Sequence, residues 1–188
     1  MTAEAKLSLP ALTLETAPPQ ARAVLDTAKA QVGFIPNMYA NMVNSPGLLQ
    51  TYLDGYARFR AESGFSPVEQ EVVFLVISRA NGCNYCTAAH SMIAGKMSKV
   101  PADVLAALRS GTAINDQKLA ALATFTRVMF DTRGLPTQKD LEAFHAAGYT
   151  DRHALEIILA MAVKTLSNYA NHLFHTEVDE MFADYRVG

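Results

Sequence analysis

Apolar residues recur at three- and four-residue spacing along most of the chain, and glycine and proline fall between the periodic stretches. The stretch from Ala21 to Val32 has this period and stops at Gly33. Ser66 opens the run Ser-Pro-Val-Glu: Ser66 caps, Pro67 suits the first helical position and Glu69 closes a capping box. Helices are also predicted over Ala102 to Arg109 and over Asp116 to Asp131. Another opens at Thr137-Gln-Lys-Asp140 and stops near Gly148, after which Thr150 caps a long apolar segment from Asp151 to about Phe174. The run Val72-Val-Phe-Leu-Val-Ile77 has the β-branched content of a buried strand, but a capping box precedes it and no partner strands or hairpin turns occur elsewhere. The pattern predicts an all-α protein of about nine or ten helices.

Displacing the chain against itself by 84 positions lays Ser66 on Thr150 and Asn84-Tyr85 on Asn168-Tyr169. It also lays Val73, Leu75 and Ile77 on Ile157, Leu159 and Met161, while Cys83 and Cys86 fall on Ser167 and Ala170. This raises the expectation of a duplicated helical unit with sulfur in one copy; chance matching of apolar helices is the alternative. The length suits one domain, with an N-terminal extension over 1–19, a cysteine-bearing half over 20–110 and a cysteine-free half over 111–188.

Composition narrows the partners. Half the residues are apolar and only 18% are charged, so there is material for a large core. A net charge of −2 without a basic run argues against nucleic acid. No apolar run approaches the ~18 residues of a membrane span. The first twenty residues lack the basic start and apolar stretch of a secretory signal, so a cytoplasmic location is expected, where two cysteines are more often reactive or metal-bound than a structural staple.

The chemistry concentrates in Glu71-(eleven residues)-Cys83-Asn84-Tyr85-Cys86-(three residues)-His90. Gly82 breaks one helix, so the cysteines fall at the start of the next, where unpaired N–H groups and the helix dipole favour a thiolate over a free thiol of pKa about 8.5. Cys86 and His90 are one turn apart on one face. In an antiparallel hairpin turning at Asn81-Gly82, Glu71 lies about 15 Å back along the first helix and His90 about 12 Å along the second, nearly level. A carboxylate there would orient the imidazole, giving a relay from Glu71 through His90 to Cys86. Two bland alternatives stand beside this one. Buried cysteines can be small hydrophobes, and Cys83, Cys86, His90 and a carboxylate could form a tetrahedral zinc set, with His172 or His175 available only through tertiary accident. A thioredoxin-type fold needs alternating strands, which the chain does not offer.

This constellation resembles the signature of the AhpD-like alkylhydroperoxidases of the carboxymuconolactone decarboxylase-like superfamily. The segments Gly33-Phe-Ile-Pro-Asn-Met-Tyr39 and Asn44-Ser-Pro-Gly-Leu-Leu-Gln50 resemble the lead-in of its peroxidase-related branch. The resemblance implies an all-helical fold assembling as dimers, trimers or hexamers, and a thiol-dependent peroxidase or disulfide-exchange activity in antioxidant defence. By motif position, Cys86 would be the peroxidatic cysteine, Cys83 the resolving one, and Glu71 and His90 the proton relay. The partners would be a peroxide and a dithiol or thiol-protein reductant, with no cofactor and no metal. A general disulfide reductase, a structural zinc protein and a decarboxylase are the rival classes. One departure stands out: well-known members carry histidine just before the second cysteine, where this chain has Tyr85, and a phenol of pKa about 10 cannot serve as a base near neutrality.

Other residues are expected to be structural. Arg79 could favour a thiolate or an anionic substrate but reads rather as a solvated helix residue, His145 and His153 as surface positions, and the eight methionines as core and subunit contacts. Asn168, Asn171, His172 and His175 form a polar group that could line the pocket opposite the cysteines, with capping or interface hydrogen bonding as the favoured reading. Tyr52, Tyr56 and Phe59 form an aromatic stripe that reads as core or interface in preference to a ligand box.

Overall fold

The computed structural model describes residues 4–187; Met1 to Ala3 of the predicted extension, and Gly188, lie outside the described residues. The chain is all-α. Among the described residues nine α-helices follow in order: α1 (Pro19–Val32), α2 (Asn37–Met42), α3 (Pro46–Glu62), α4 (Pro67–Ala80), α5 (Asn84–Lys96), α6 (Ala102–Ser110), α7 (Gln117–Asp131), α8 (Gln138–Ala146) and α9 (Asp151–Phe174). A 3₁₀ segment, Glu180–Tyr185, closes the fold, and the sequence pattern gave no sign of it.

The helix ends are set by the predicted local chemistry. Ser66 Oγ accepts from the Glu69 N–H while the Glu69 carboxylate accepts from the Ser66 N–H, completing the capping box on α4. Thr137 and Asp140 do the same on α8, and Asp116 caps α7. At α9 the His153 ring nitrogen accepts from the Thr150 N–H at 3.1 Å, and that ring also packs on Phe65 at 4.7 Å between centroids. His153 is therefore a capping and packing residue, not the plain surface position expected. His145 stays near the surface and pairs with Asp151 at 2.9 Å. Arg79 is exposed, donating to the Arg109 and Ser110 carbonyls at the end of α6, away from the cysteines.

The strand-like run 72–77 lies inside α4. Its near-continuous apolar character reflects burial on almost every side, because α4 packs against α5, α7 and α9 together. Two apolar clusters flank it. One joins α1, α2 and α3 to the cysteines, with Val163 and Ala170 of α9 and Phe182. The other gathers α4, α6, α7 and α8 around Ile157 and Ala160 of α9. Helix α9 thus belongs to both. Its approach to α3 needs Gly55, where a Cβ would come within 2.8 Å of a Val163 methyl.

The expected duplication does not extend to the hairpin. Gly82, at φ 69°, turns the chain between α4 and α5, whereas the aligned stretch around Leu166 runs unbroken through α9. The caps match, but one copy is a hairpin and the other a single helix. No helix among the described residues is long and apolar enough to cross a membrane.

Candidate active site

Residue 83 stands at the N-cap of α5, and its sulfur accepts from the Cys86 N–H at 3.4 Å. Neither cysteine is in a disulfide, and both are buried. The turn at Gly82 sends α5 back along α4 and brings Glu71 and His90 level, with His90 Nδ1 2.9 Å from Glu71 Oε2. The other carboxylate oxygen takes Arg60 of α3 at 2.5 Å and the Ser98 hydroxyl at 3.4 Å. Burial opposes charge on Glu71; the His90 contact and the Arg60 guanidinium outweigh it and hold the carboxyl below its ordinary range. Burial, reinforced by the Lys164 ammonium, lowers His90 to about 4 against the pull of Glu71. Near neutrality the imidazole is uncharged and Arg60 supplies the formal counter-charge of Glu71. The ionised carboxylate fixes the proton on Nδ1 and leaves Nε2 as an acceptor.

The two sulfurs sit in different electrostatic surroundings. Burial works against a Cys86 thiolate, but the Cys83 thiol, the Lys164 ammonium, the Asn171 amide and the Ser167 hydroxyl outweigh it and lower Cys86 to about 5. Cys83 is raised, first by its hydrogen bond to Cys86 and then by burial. Asn171 Nδ2 lies 3.2 Å from the Cys86 sulfur and 3.8 Å from that of Cys83, and Ser167 Oγ lies 4.0 Å from Cys86. The first turn of α5 adds its unpaired N–H groups to this field. One sulfur is held as thiolate and its neighbour as thiol.

A cavity of about 340 Å³ opens onto Cys86 and His90. Its walls are aromatic and aliphatic, including Phe34, Tyr39, Tyr52, Tyr56 and Phe182, with Met97 and Met181 exposed at its rim. A separate cleft of about 240 Å³ reaches Cys83 between Gly82, Asn171, His172 and His175. Among the described residues, no three His, Cys, Asp or Glu side chains converge as a metal-binding set. His90 faces Glu71 instead, and the sulfurs face Asn171 and Ser167.

Residues 46–127, which contain Glu71, both cysteines and His90, match the family model of the carboxymuconolactone decarboxylase family. The fold is shared with solved structures across nearly the full chain. An uncharacterized peroxidase-related protein with an alkylhydroperoxidase AhpD core, from Ralstonia eutropha, superposes with a TM-score of 0.78 at 22% identity, covering 93% of each chain. A peroxidase-related protein from a Silicibacter species gives 0.76 at 20% identity, covering 96% of this chain and 95% of that one. The matched segment is similar to the carboxymuconolactone decarboxylase family, and the fold is like that of an AhpD core. A cysteine-to-alanine variant of the debrominase Bmp8, bound to 2,3,4-tribromopyrrole, is similar in fold as well, with a TM-score of 0.76 at 17% identity over 97% of both chains. Among curated proteins, none matches the chain.

Within the AhpD-like frame, Tyr85 has a structural task. Its hydroxyl donates to Asp179 Oδ2 at 2.5 Å, and Asp179 also accepts from the Asn37 N–H at 3.1 Å. Burial and the Asp179 carboxylate both push the phenol upward, so it remains a neutral donor. The contact ties the start of α5 to the 3₁₀ segment whose Met181 and Phe182 line the cavity. Replacing Tyr85 with Phe is expected to cost about 2 kcal/mol, a hydrogen bond to a charged group. Hydrogen exchange should show residues 180–185 opening more readily, with α4 unchanged; equal protection in both proteins would refute this.

Asn171 takes the pocket-lining alternative in place of the favoured capping or interface reading, since its amide reaches both sulfurs. Tyr52 and Tyr56 do pack in the core, but they also line the cavity, unlike fully buried Phe59. Nothing in the sequence marks Arg60 or Lys164, because a basic residue on an amphipathic helix usually means a solvated face. Lys164 is only 1% exposed.

Proposed function

We propose that the chain is a thiol-dependent peroxidase and disulfide oxidoreductase in which Cys86 and Cys83 form a two-electron redox pair. The observation that carries this reading is the split between the two sulfurs: Cys86 held as thiolate at an apolar cavity, Cys83 held as thiol beside it. The thiolate attacks the terminal oxygen of an organic hydroperoxide; an S–O bond forms, the O–O bond breaks, and the leaving oxygen departs as an alcohol once protonated. The Cys83 sulfur then displaces hydroxide from the Cys86 sulfenic acid, giving a disulfide and water. Neutral His90, fixed by Glu71, is the base that accepts through Nε2 the proton of the attacking Cys83 thiol and passes it to the departing hydroxide. A dithiol partner returns the pair to its reduced form by exchange.

The deciding experiment adds one equivalent of cumene hydroperoxide to reduced protein and counts free thiols, alcohol and bound metal. Loss of two thiols and formation of one alcohol per peroxide, with no metal released, is the expected result. Unchanged thiols would overturn the reading. Fast exchange with a disulfide substrate and none with peroxide would leave only the reductase part.

The aromatic cavity wall and the likeness to a debrominase favour one second reading, reductive removal of halogen from a flat aromatic ring with the same two electrons. Halide release from a bromopyrrole, with loss of two thiols, would select it over peroxide reduction.

A further inference from the structure

Lys164 is buried in the middle of α9, and it is the one lysine or arginine lining the cavity that holds Cys86 and His90. Among the described residues no carboxylate pairs with it, and its ammonium lies 5.5 Å from the Phe74 ring centroid. Phe74 in turn lies 4.8 Å from the His90 ring, so cation and imidazole flank the same ring, and both line the cavity with Cys86. A buried, unpaired ammonium is costly unless a negative charge is near or the group gives up its proton. In the reduced protein the Cys86 thiolate is that negative charge, and oxidation to the disulfide removes it.

We infer that Lys164 is the acid that protonates the leaving oxygen during O–O cleavage, so that its charge disappears together with that of the thiolate. This rests on the thiol-peroxidase reading above. As the S–O bond forms, the O–O electron pair moves onto the departing alkoxide, which takes a proton from the Lys164 ammonium. Sulfur is oxidised to sulfenic acid, the peroxide is reduced to alcohol, and the lysine is left neutral. Disulfide formation then expels hydroxide, which leaves as water with the Cys83 proton. Reduction by a dithiol regenerates one thiol and one thiolate and returns a proton to Lys164. The cavity keeps the same net charge throughout. His90 cannot take this role, because its Nε2 carries no proton; the two groups divide into acid and base.

The test compares a substrate that needs an acid with one that does not. An alkyl hydroperoxide expels a strongly basic alkoxide, whereas peracetic acid expels a carboxylate stable without protonation. Because the thiolate fraction affects both equally, the ratio of their single-turnover rates isolates protonation of the leaving group. In Lys164→Met, cumene hydroperoxide relative to peracetic acid should fall about 100-fold, the scale of lost general acid catalysis. Lys164→Arg keeps the positive charge but cannot donate near neutrality, so its ratio should fall in the same way. A wild-type ratio in either folded variant would overturn the inference while leaving the peroxidase reading intact. Wild-type protein inert toward both substrates would remove both. Unmutated protein gives an independent reading: if its ultraviolet thiolate absorbance is lost on turnover, no net proton should be taken up from solvent. Uptake of one proton per peroxide would show that Lys164 stays charged and would equally overturn the assignment.

Discussion

Replacing Cys86 with Ser is expected to lower hydroperoxide reduction by more than about 10⁴-fold, the scale seen when a nucleophile is removed. A serine hydroxyl at that position cannot ionise near neutrality and cannot be oxidised to a sulfenic acid. Cys83→Ser should behave differently. Its Cys86 thiolate still attacks, so one peroxide is consumed at a rate within about tenfold of the parent protein, and turnover stops at a sulfenic acid that cannot be resolved. Trapping with dimedone and mass spectrometry distinguishes the two variants. The pH profile supplies the sign. With Cys86 lowered to about 5, the thiolate fraction climbs as pH rises through that value and is complete by neutrality. The first-turnover rate should therefore rise between about pH 4 and 6 and stay flat through pH 8, whereas an ordinary thiol of pKa about 8.5 would still be gaining rate there. Equal activity in Cys86→Ser, or a rate still climbing above neutrality, would show that Cys86 is not the activated sulfur.

The second large effect belongs to Arg60. It joins Glu71 to Gln70 and to the Tyr56 hydroxyl and stacks 4.9 Å from both the Tyr56 and Phe74 ring centroids. Arg60→Met would strand a fully buried carboxylate opposite a neutral imidazole. Breaking a buried pair by removing one partner costs about 3–5 kcal/mol, and the lower end applies because the Arg60 side chain is 21% exposed. Urea unfolding should register about 3 kcal/mol at neutral pH. Changing Glu71 to Gln in the same protein should recover much of that loss, since no buried charge then lacks a partner. First-turnover rate should not recover with it, because the group that fixes the imidazole tautomer is gone. Equal stability of the Arg60→Met protein and the parent would mean that His90 alone balances Glu71.

Much of this fold is written locally. Ser66 with Glu69, Thr137 with Asp140 and Gly33 act within a few residues of themselves, so the pattern alone locates the helix ends. The turn at Gly82 and the rise per residue of two helices suffice to set Glu71 against His90. The same local reasoning fails for the apparent duplication: matching caps do not reveal that one copy breaks at glycine and the other continues as α9.

From sequence alone follow the all-helical class, the helix ends, the position of Cys83 at a helix start and the pairing of Glu71 with His90, because each depends on contacts within one helix or across one short turn. Only tertiary structure decides that Arg60 of α3 balances Glu71, that Asn171 and Ser167 of α9 meet the Cys86 sulfur, and that Lys164 faces the same cavity. The physical reason is that the rotation of one packed helix against another is set by the whole core. Helical periodicity tells which residues share a stripe, and carries no signal of what that stripe will face.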